Sequence, residues 1–277
     1  MTTEPQLKRI ASGREAEIYE WERGSVLRLF REERDPIAIT REAAAMRAVR
    51  DVLPLVPEVL GEARALGRPG LILERIDGLD LLTRIDKQPW TIWNAGTVSG
   101  RLHSQLHDII APDVLPSLRD RITRLLQQAL VPPHISAYVA GILATLPDGE
   151  QLCHGDFHPG NILLGAGGPM VIDWPNATSG DATADVARTL LMTRLAALPP
   201  GTSALIRAGD RVGRPLLRIA YMRAYERHRR IDRALLPRWT TVRAADRLAE
   251  DIPEERPALL ALLEAEMSAV SASVRGK

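Results

Sequence analysis

Cysteine occurs once in the 277 residues, at Cys153, which excludes an internal disulfide framework and a multi-cysteine zinc site. Set in an apolar run, that thiol reads as a buried structural group. Lysine is almost as scarce. Only Lys8, Lys87 and Lys277 stand among 36 strong bases, so a role that calls for lysine has few positions to fall on. No hydrophobic run approaches the roughly 20 residues of a membrane span, and no apolar segment follows the opening MTTEPQLKRI. A secretory signal and a membrane partner are therefore not expected, and a cytoplasmic setting is. A net charge of +1 gives no global case for nucleic acid or an acidic membrane surface. What remains is a globular chain long enough for one large core or two lobes, since domains commonly run about 100–200 residues.

The first third reads as strands with one helix inserted. LKRIA (7–11), AEIYEW (16–21) and SVLRLF (25–30) are short, part-alternating apolar segments split by the turn candidates SGRE and ERGS. In DPIAITREAAAMRAVRDV, helix-favouring composition and the spacing of Ile39, Ala43, Met46 and Val49 predict a helix, with Thr40 or Asp35 as cap. PEVLGEARAL (57–66) and PGLILERI (69–76), separated by GRPG, read as a hairpin. Beyond residue 77 the pattern turns helical. Val98, Leu102, Leu106, Ile109 and Ile110 are expected on one helical face, with further helices over SLRDRITRLLQQAL, SAYVAGILATL, DATADVARTLLMTRLAAL and ALLALLEAEMSAV. One segment breaks that rhythm: QLCHGDFHPGNILLGAGGPMVIDW reads as loop, strand, glycine-rich turn and strand. The expected fold class is α+β, with a small antiparallel β-sheet lobe carrying one helix (1–76) and a larger, mainly helical lobe (77–277).

The polar centre of that insertion, HGDFHPGN, permits several chemistries. His154 and His158 are four apart, but Gly155, Pro159 and Gly160 oppose the helix that would put them on one face. His103 and His107 share that spacing on a helical pattern, yet Ser104 stands where a zinc protease carries its glutamate. A hydrolase lacks its nucleophile, because there is no G-x-S-x-G and Cys153 has no electropositive setting. Phosphoryl transfer accounts for more residues. It needs a carboxylate to orient the attacking hydroxyl, then an amide and a second carboxylate to hold magnesium against phosphates. Asp156 and Asn161 are five apart, as in the kinase catalytic loop H-R-D-x-x-x-x-N, and Asp173 follows seventeen residues after Asp156 in VIDW. Hard oxygen donors of this kind suit Mg²⁺.

HGDFHPGNIL, then VIDW, then GDATADVARTL resembles the signature of the aminoglycoside phosphotransferase and choline kinase-like family, a small-molecule branch of the protein-kinase fold. The resemblance implies a two-lobed kinase with ATP or GTP in the interlobe cleft. It also implies Asp156 as catalytic base, Asn161 and Asp173 as magnesium ligands, and His154 as a brace for the loop. Asp185 matches a recurrent aspartate that supports the loop, and reads equally well as a carboxylate favoured at a helix start. In this fold a base on the third strand grips the phosphates and pairs with a glutamate on the next helix. Here those positions fall on Arg28 and Glu42, a departure from lysine, and arginine is no neutral substitute because its fork is planar and bulkier. The phosphate-covering loop is thin: ASGREAEIYE offers Gly13 alone, with Ser12 and the backbone amides of 12–16 as the remaining contacts. By the same analogy the backbone at Glu74 and Ile76 would meet adenine.

The acceptor is expected to be a small hydroxyl compound. Residues 200–277 hold 15 Lys/Arg against 10 Asp/Glu, which mildly disfavours a polycation, although 249–266 is locally acidic, as on a solvated helix face. Trp174 and Trp239 read first as core. Against an atypical, RIO-like protein kinase, only eleven residues separate Asp173 from Asp185, too few for an activation loop. A catalytically weak nucleotide-binding protein is suggested by Arg28 and the thin loop; intact Asp156, Asn161 and Asp173 argue against it. A metal-dependent hydrolase is the remaining, weaker reading.

Overall fold

The computed structural model describes residues 7–13, 16–31, 36–128, 130–195 and 204–275. The proposed cap Asp35 and residues 14–15 of the expected phosphate-covering loop lie outside them. In chain order the strands and helix of the first third are β1 (Arg9–Ser12), β2 (Ala16–Glu20), β3 (Ser25–Phe30), α1 (Pro36–Val52), β4 (Val59–Ala65) and β5 (Arg68–Glu74). Then follow β6 (Leu79–Asp80), α2 (Leu81–Lys87), α3 (Ile92–Leu106), α4 (Leu118–Leu126), α5 (Pro133–Leu143) and β7 (Gln151–Cys153). The remainder comprises β8 (Ile162–Gly165), β9 (Gly168–Val171), β10 (Thr178–Gly180), α6 (Ala182–Leu195), α7 (Ala204–Glu226), α8 (Leu235–Leu248) and α9 (Arg256–Arg275). No described helix is long and apolar enough to cross a membrane.

Two compact units result. One comprises Met1–Leu81 with Asn161–Pro175, the other Leu82–Gly160 with Asn176–Lys277. The sequence reading ends the first lobe at residue 76. The unit runs further because β6 pairs with β8, and it recovers 161–175 because Val171 N–H also donates to the Leu55 carbonyl (2.8 Å).

The first unit is built on an antiparallel sheet in the order β1-β2-β3-β5-β4. The β3 strand is central and buried along its whole length, as the near-continuous apolar run SVLRLF requires. Alternation sends Leu27 and Leu29 to one face, where they cluster with Tyr19, and Arg28 to the other. On α1, all four residues of the expected stripe, Ile39, Ala43, Met46 and Val49, are buried. Thr40 is inside that helix rather than at its cap. The β4–β5 turn is not GRPG but the two residues Leu66 and Gly67, whose φ values of 50° and 72° give the twist a tight hairpin needs.

The second unit is helical. Its main core joins Leu118 and Ile122 of α4, Ile135 and Val139 of α5, Leu191 of α6, Trp239 and Val242 of α8, and Leu259 of α9. Ser117 caps α4 by accepting from Asp120 N–H (3.4 Å). The expected stripe of α3 is only partly right. The helix stops at Leu106, so Ile109 and Ile110 lie beyond it, and Ile110 is 63% exposed. Leu102 and Leu106 are buried as expected, but the buried side also carries the small and polar residues Gly96, Ser99, Gly100, His103 and Ser104. Added Cβ atoms at Gly96 and Gly100 would lie 2.5 Å from Leu217 O and 2.2 Å from Tyr221 O, so glycine here sets how closely α3 approaches α7. Trp174, in the first unit, and Trp239, in the second, are both buried core residues.

Candidate functional site

The loop that follows β7 is held by one carboxylate. Asp185, in the first turn of α6 and wholly buried, accepts the His154 N–H at its Oδ2 (2.6 Å) and the Gly155 N–H at its Oδ1 (3.0 Å). Gly155 lies at φ 78°, and a Cβ there would meet Asn176 O at 2.3 Å, so both conformation and space demand glycine. His154 Nδ1 accepts from Asp156 N–H (3.2 Å) and His158 Nδ1 from Gly160 N–H (3.0 Å), so both histidines satisfy turn amides. Phe157 is buried and stacks on His103, with ring centroids 4.1 Å apart. Thr189 hydroxyl donates to the Phe157 carbonyl (2.9 Å).

Behind the loop lies a polar core that the sequence pattern hides. His103 and His107 of α3 approach Asp185 Oδ2 at 3.0 and 3.4 Å, and their Nδ1 atoms meet the hydroxyls of Tyr221 (2.6 Å) and Tyr225 (2.7 Å) on α7. One ligand atom from each of His103, His107 and Asp185 lies within 4.8 Å of the others, close enough to surround a cation. Each already has hydrogen-bond partners, and a network satisfied in this way needs no metal. Burial holds His103 neutral, its pKa pushed down to about 3. The Asp185 carboxyl lies well below its ordinary range, because donors from His103 and His107 outweigh the burial that would raise it.

Asp156, with a side chain 20% exposed, lies 3.7 Å from Arg188 Nη2 and from His158 Nε2. Burial pushes its carboxyl up, yet Arg188, then His158 and His154, bring it below the ordinary value, so it is ionised at neutral pH. Arg188 is 1% exposed on α6 and is gripped by Asp246 of α8 (3.2 Å) and by Glu250. Asp246 also takes Arg243 at 2.9 Å, while Arg247 binds Glu255 through two bonds of 2.7 and 2.9 Å. Glu250 and Glu255 are thus internal ion-pair partners rather than the solvated face expected of 249–266. The signal available in sequence was an arginine three residues after Asp185, one helical turn on in ATADVARTLLMTRL.

The remaining candidates fall in the first unit. Arg28, 8% exposed, is bonded through Nη1 to Glu42 of α1 and through Nη2 to Asp173 Oδ1 (2.8 Å), joining three predicted residues from separate stretches. Asp173 sits at φ 68°, a conformation rare for a residue with a Cβ, and its side chain is 41% exposed. Asn161 directly precedes β8, and its carbonyl accepts from Ile172 N–H (2.9 Å), so Asn161 and Asp173 leave the same end of the β8–β9 hairpin. An amide and a carboxylate at one hairpin end form an all-oxygen donor set of the kind magnesium prefers. Ser12 Oγ and the Gly13 carbonyl both bond Arg31, at 2.5 and 2.9 Å, and Gly13 N–H donates to Ala16 O (2.8 Å). Glu74 N–H donates to the Glu58 carbonyl (2.9 Å), and Ile76 lies two residues past the end of β5, half-buried.

A model of the phosphotransferase enzyme family matches residues 6–235. The chain belongs to that family. No curated protein matches it. Among solved structures it is similar to an aminoglycoside-3′-phosphotransferase of type VIII (18% identity, TM-score 0.65, covering 86% of this chain and 93% of that one). A choline kinase from Cryptosporidium parvum aligns at 12% identity and TM-score 0.58, over 97% and 91% of the two chains. The amicoumacin kinase hAmiN, in complex with AMP-PNP, Ca²⁺ and Ami, aligns at 14% identity and TM-score 0.59, over 94% and 87%. Identities this low speak for the fold alone, and that fold is the protein kinase-like one of this phosphotransferase family.

Proposed function

We propose that the chain transfers the γ-phosphoryl group of ATP or GTP to a hydroxyl of a small molecule. The observation that carries this reading is the meeting of Arg28 with Glu42 and Asp173, as a phosphate-gripping base, its helix partner and a metal-binding carboxylate would meet in a kinase. The complex of the amicoumacin kinase with AMP-PNP supports a nucleotide as co-substrate. In the proposed reaction Asp156 orients the acceptor hydroxyl and takes its proton. The acceptor oxygen then bonds the γ-phosphorus as the bond to the β-phosphate oxygen breaks, and nucleoside diphosphate leaves. A carboxylate kept ionised by Arg188 is ready to accept that proton at neutral pH. Asn161 and Asp173 would hold Mg²⁺, which supplies charge neutralisation at the phosphates. Arg28 would bind phosphate oxygens, with Glu42 fixing its fork, while Ser12, Gly13 and the backbone at Glu74 and Ile76 flank the nucleotide.

Nucleotide turnover measured across aminoglycosides, macrolides, choline and sugar alcohols tests the reading. Acceptor-dependent release of ADP should fall by about 10²–10⁴-fold in Asp156→Ala, the range general-base groups contribute. Turnover that survives the substitution removes Asp156 from the role.

A further inference from the structure

The turn that carries Asp173 is pinned on both sides. Upstream, Val171 N–H donates to the Leu55 carbonyl (2.8 Å) and Ile172 N–H to the Asn161 carbonyl (2.9 Å). Downstream, Trp174 is 1% exposed, and its indole N–H donates to the Val171 carbonyl three residues back (2.9 Å). A buried indole needs an acceptor for that proton, and this one closes the chain on itself over 171–174. Inside the closed turn Asp173 takes φ 68°, a conformation that opposes a Cβ, although aspartate bears it better than most residues. Two consecutive side chains are thereby parted. Trp174 is buried in the first unit, while the Asp173 carboxylate stays accessible at the hairpin end that also carries Asn161, and receives Arg28.

We infer that Trp174 is a positioning residue for the metal-binding carboxylate: its indole N–H, held by the Val171 carbonyl, keeps Asp173 in the left-handed conformation that presents the carboxylate to the ion. Without that bond the ion itself would have to impose an unfavourable turn, and its affinity would drop by the free energy so used. The inference rests on the magnesium role proposed for Asp173, whereas the hold on the backbone does not. Phenylalanine fills most of the space of the indole and donates nothing, so it separates the hydrogen bond from the packing.

Mn²⁺, which takes the same oxygen donors and is paramagnetic, probes the site in the full chain without turnover. Its dissociation constant should rise about tenfold in Trp174→Phe, as when other groups that orient a metal ligand are removed, while AMP-PNP binding in EDTA is unchanged. Trp174→His, whose Nε2 can donate from a similar reach, should recover part of the loss. A role in packing alone would weaken both ligands alike or neither. A second comparison uses no metal and no nucleotide, and it stands whether or not Trp174→Phe folds. With Trp174 in place, Asp173→Gly should have a higher urea midpoint than Asp173→Ala, because glycine alone is at ease at φ 68°. In the Trp174→Phe background that gap should close. Mn²⁺ bound equally well by the native chain and Trp174→Phe, or equal midpoints for the two variants of Asp173, would overturn the inference. A native chain that binds no Mn²⁺ yet shows the gap and its closure would uphold the hold on Asp173 and defeat the magnesium role instead.

Discussion

Asp156 carries two opposed influences, burial that favours its neutral form and nearby cationic groups, Arg188 first among them, that favour the carboxylate, and the second prevails. Because Arg188 is itself buried and held by Asp246 and Glu250, it cannot swing away as a surface arginine would. Replacing it with methionine should remove the largest influence that opposes burial, leaving the weaker ones of His158 and His154. The acid limb of the pH–rate profile should then move upward by about one unit or more, a shift typical of losing a close opposite charge. A profile that stays in place would show that Arg188 serves packing alone. On the nucleotide side Arg28 is the corresponding test. Arg28→Ala should weaken ATP binding by about tenfold or more, as expected when a charge-assisted hydrogen bond is removed, and equilibrium titration reads it directly. Unchanged affinity would remove Arg28 from the phosphate contact.

Between elements, the approach of α3 to α7 depends on glycine. Gly100→Ala places a methyl group 2.2 Å from a backbone carbonyl, which has to shift, so a loss of about 1–3 kcal/mol is expected in denaturant unfolding. Gly141 in α5 has nothing within 4 Å of an added Cβ, and there alanine should stabilise by about 1 kcal/mol through helix propensity. If both variants behave alike, the close approach is not what the first glycine serves. These elements also show what the sequence could convey. The first sheet and α1 were legible because their burial follows the simple periods of two and 3.6, as SVLRLF and the Ile39–Val49 stripe illustrate. The face of α3 was legible only at Leu102 and Leu106, since close helix contact elsewhere selects small residues and hydrogen-bonded histidines, which carry no apolar period. The two- and three-residue strands β6, β7 and β10 are too short to hold any period. The Arg188 cluster breaks the rule that buried helix faces are apolar. Asp156, Asn161 and Asp173 stood out through the chemistry their spacing permits.

Across the whole molecule, the buried histidine core makes stability depend on acidity. The unfolded chain binds a proton at His103 near the ordinary value of 6.5, whereas the folded chain resists it down to about 3. Between those values the unfolded state holds more protons, so stability is lost as pH falls, at about 1.4 kcal/mol per unit. Asp185, also depressed in the folded state, adds a loss of the same sign only below its ordinary value of 3.8. The unfolding free energy from denaturant titration should therefore fall between pH 7 and pH 5 by about 2 kcal/mol, and His103→Gln should flatten that slope. A slope equal in both proteins would place the acid sensitivity elsewhere. All of this positions one loop. The most direct measurement of what the loop does is the transfer of labelled γ-phosphate from ATP to a small hydroxyl compound, compared between the native chain and Asp156→Asn. The account predicts a phosphorylated acceptor with the native chain and a loss of about 10²–10⁴-fold in the variant, with ATP binding retained. Equal labelling of acceptor by both proteins would contradict it.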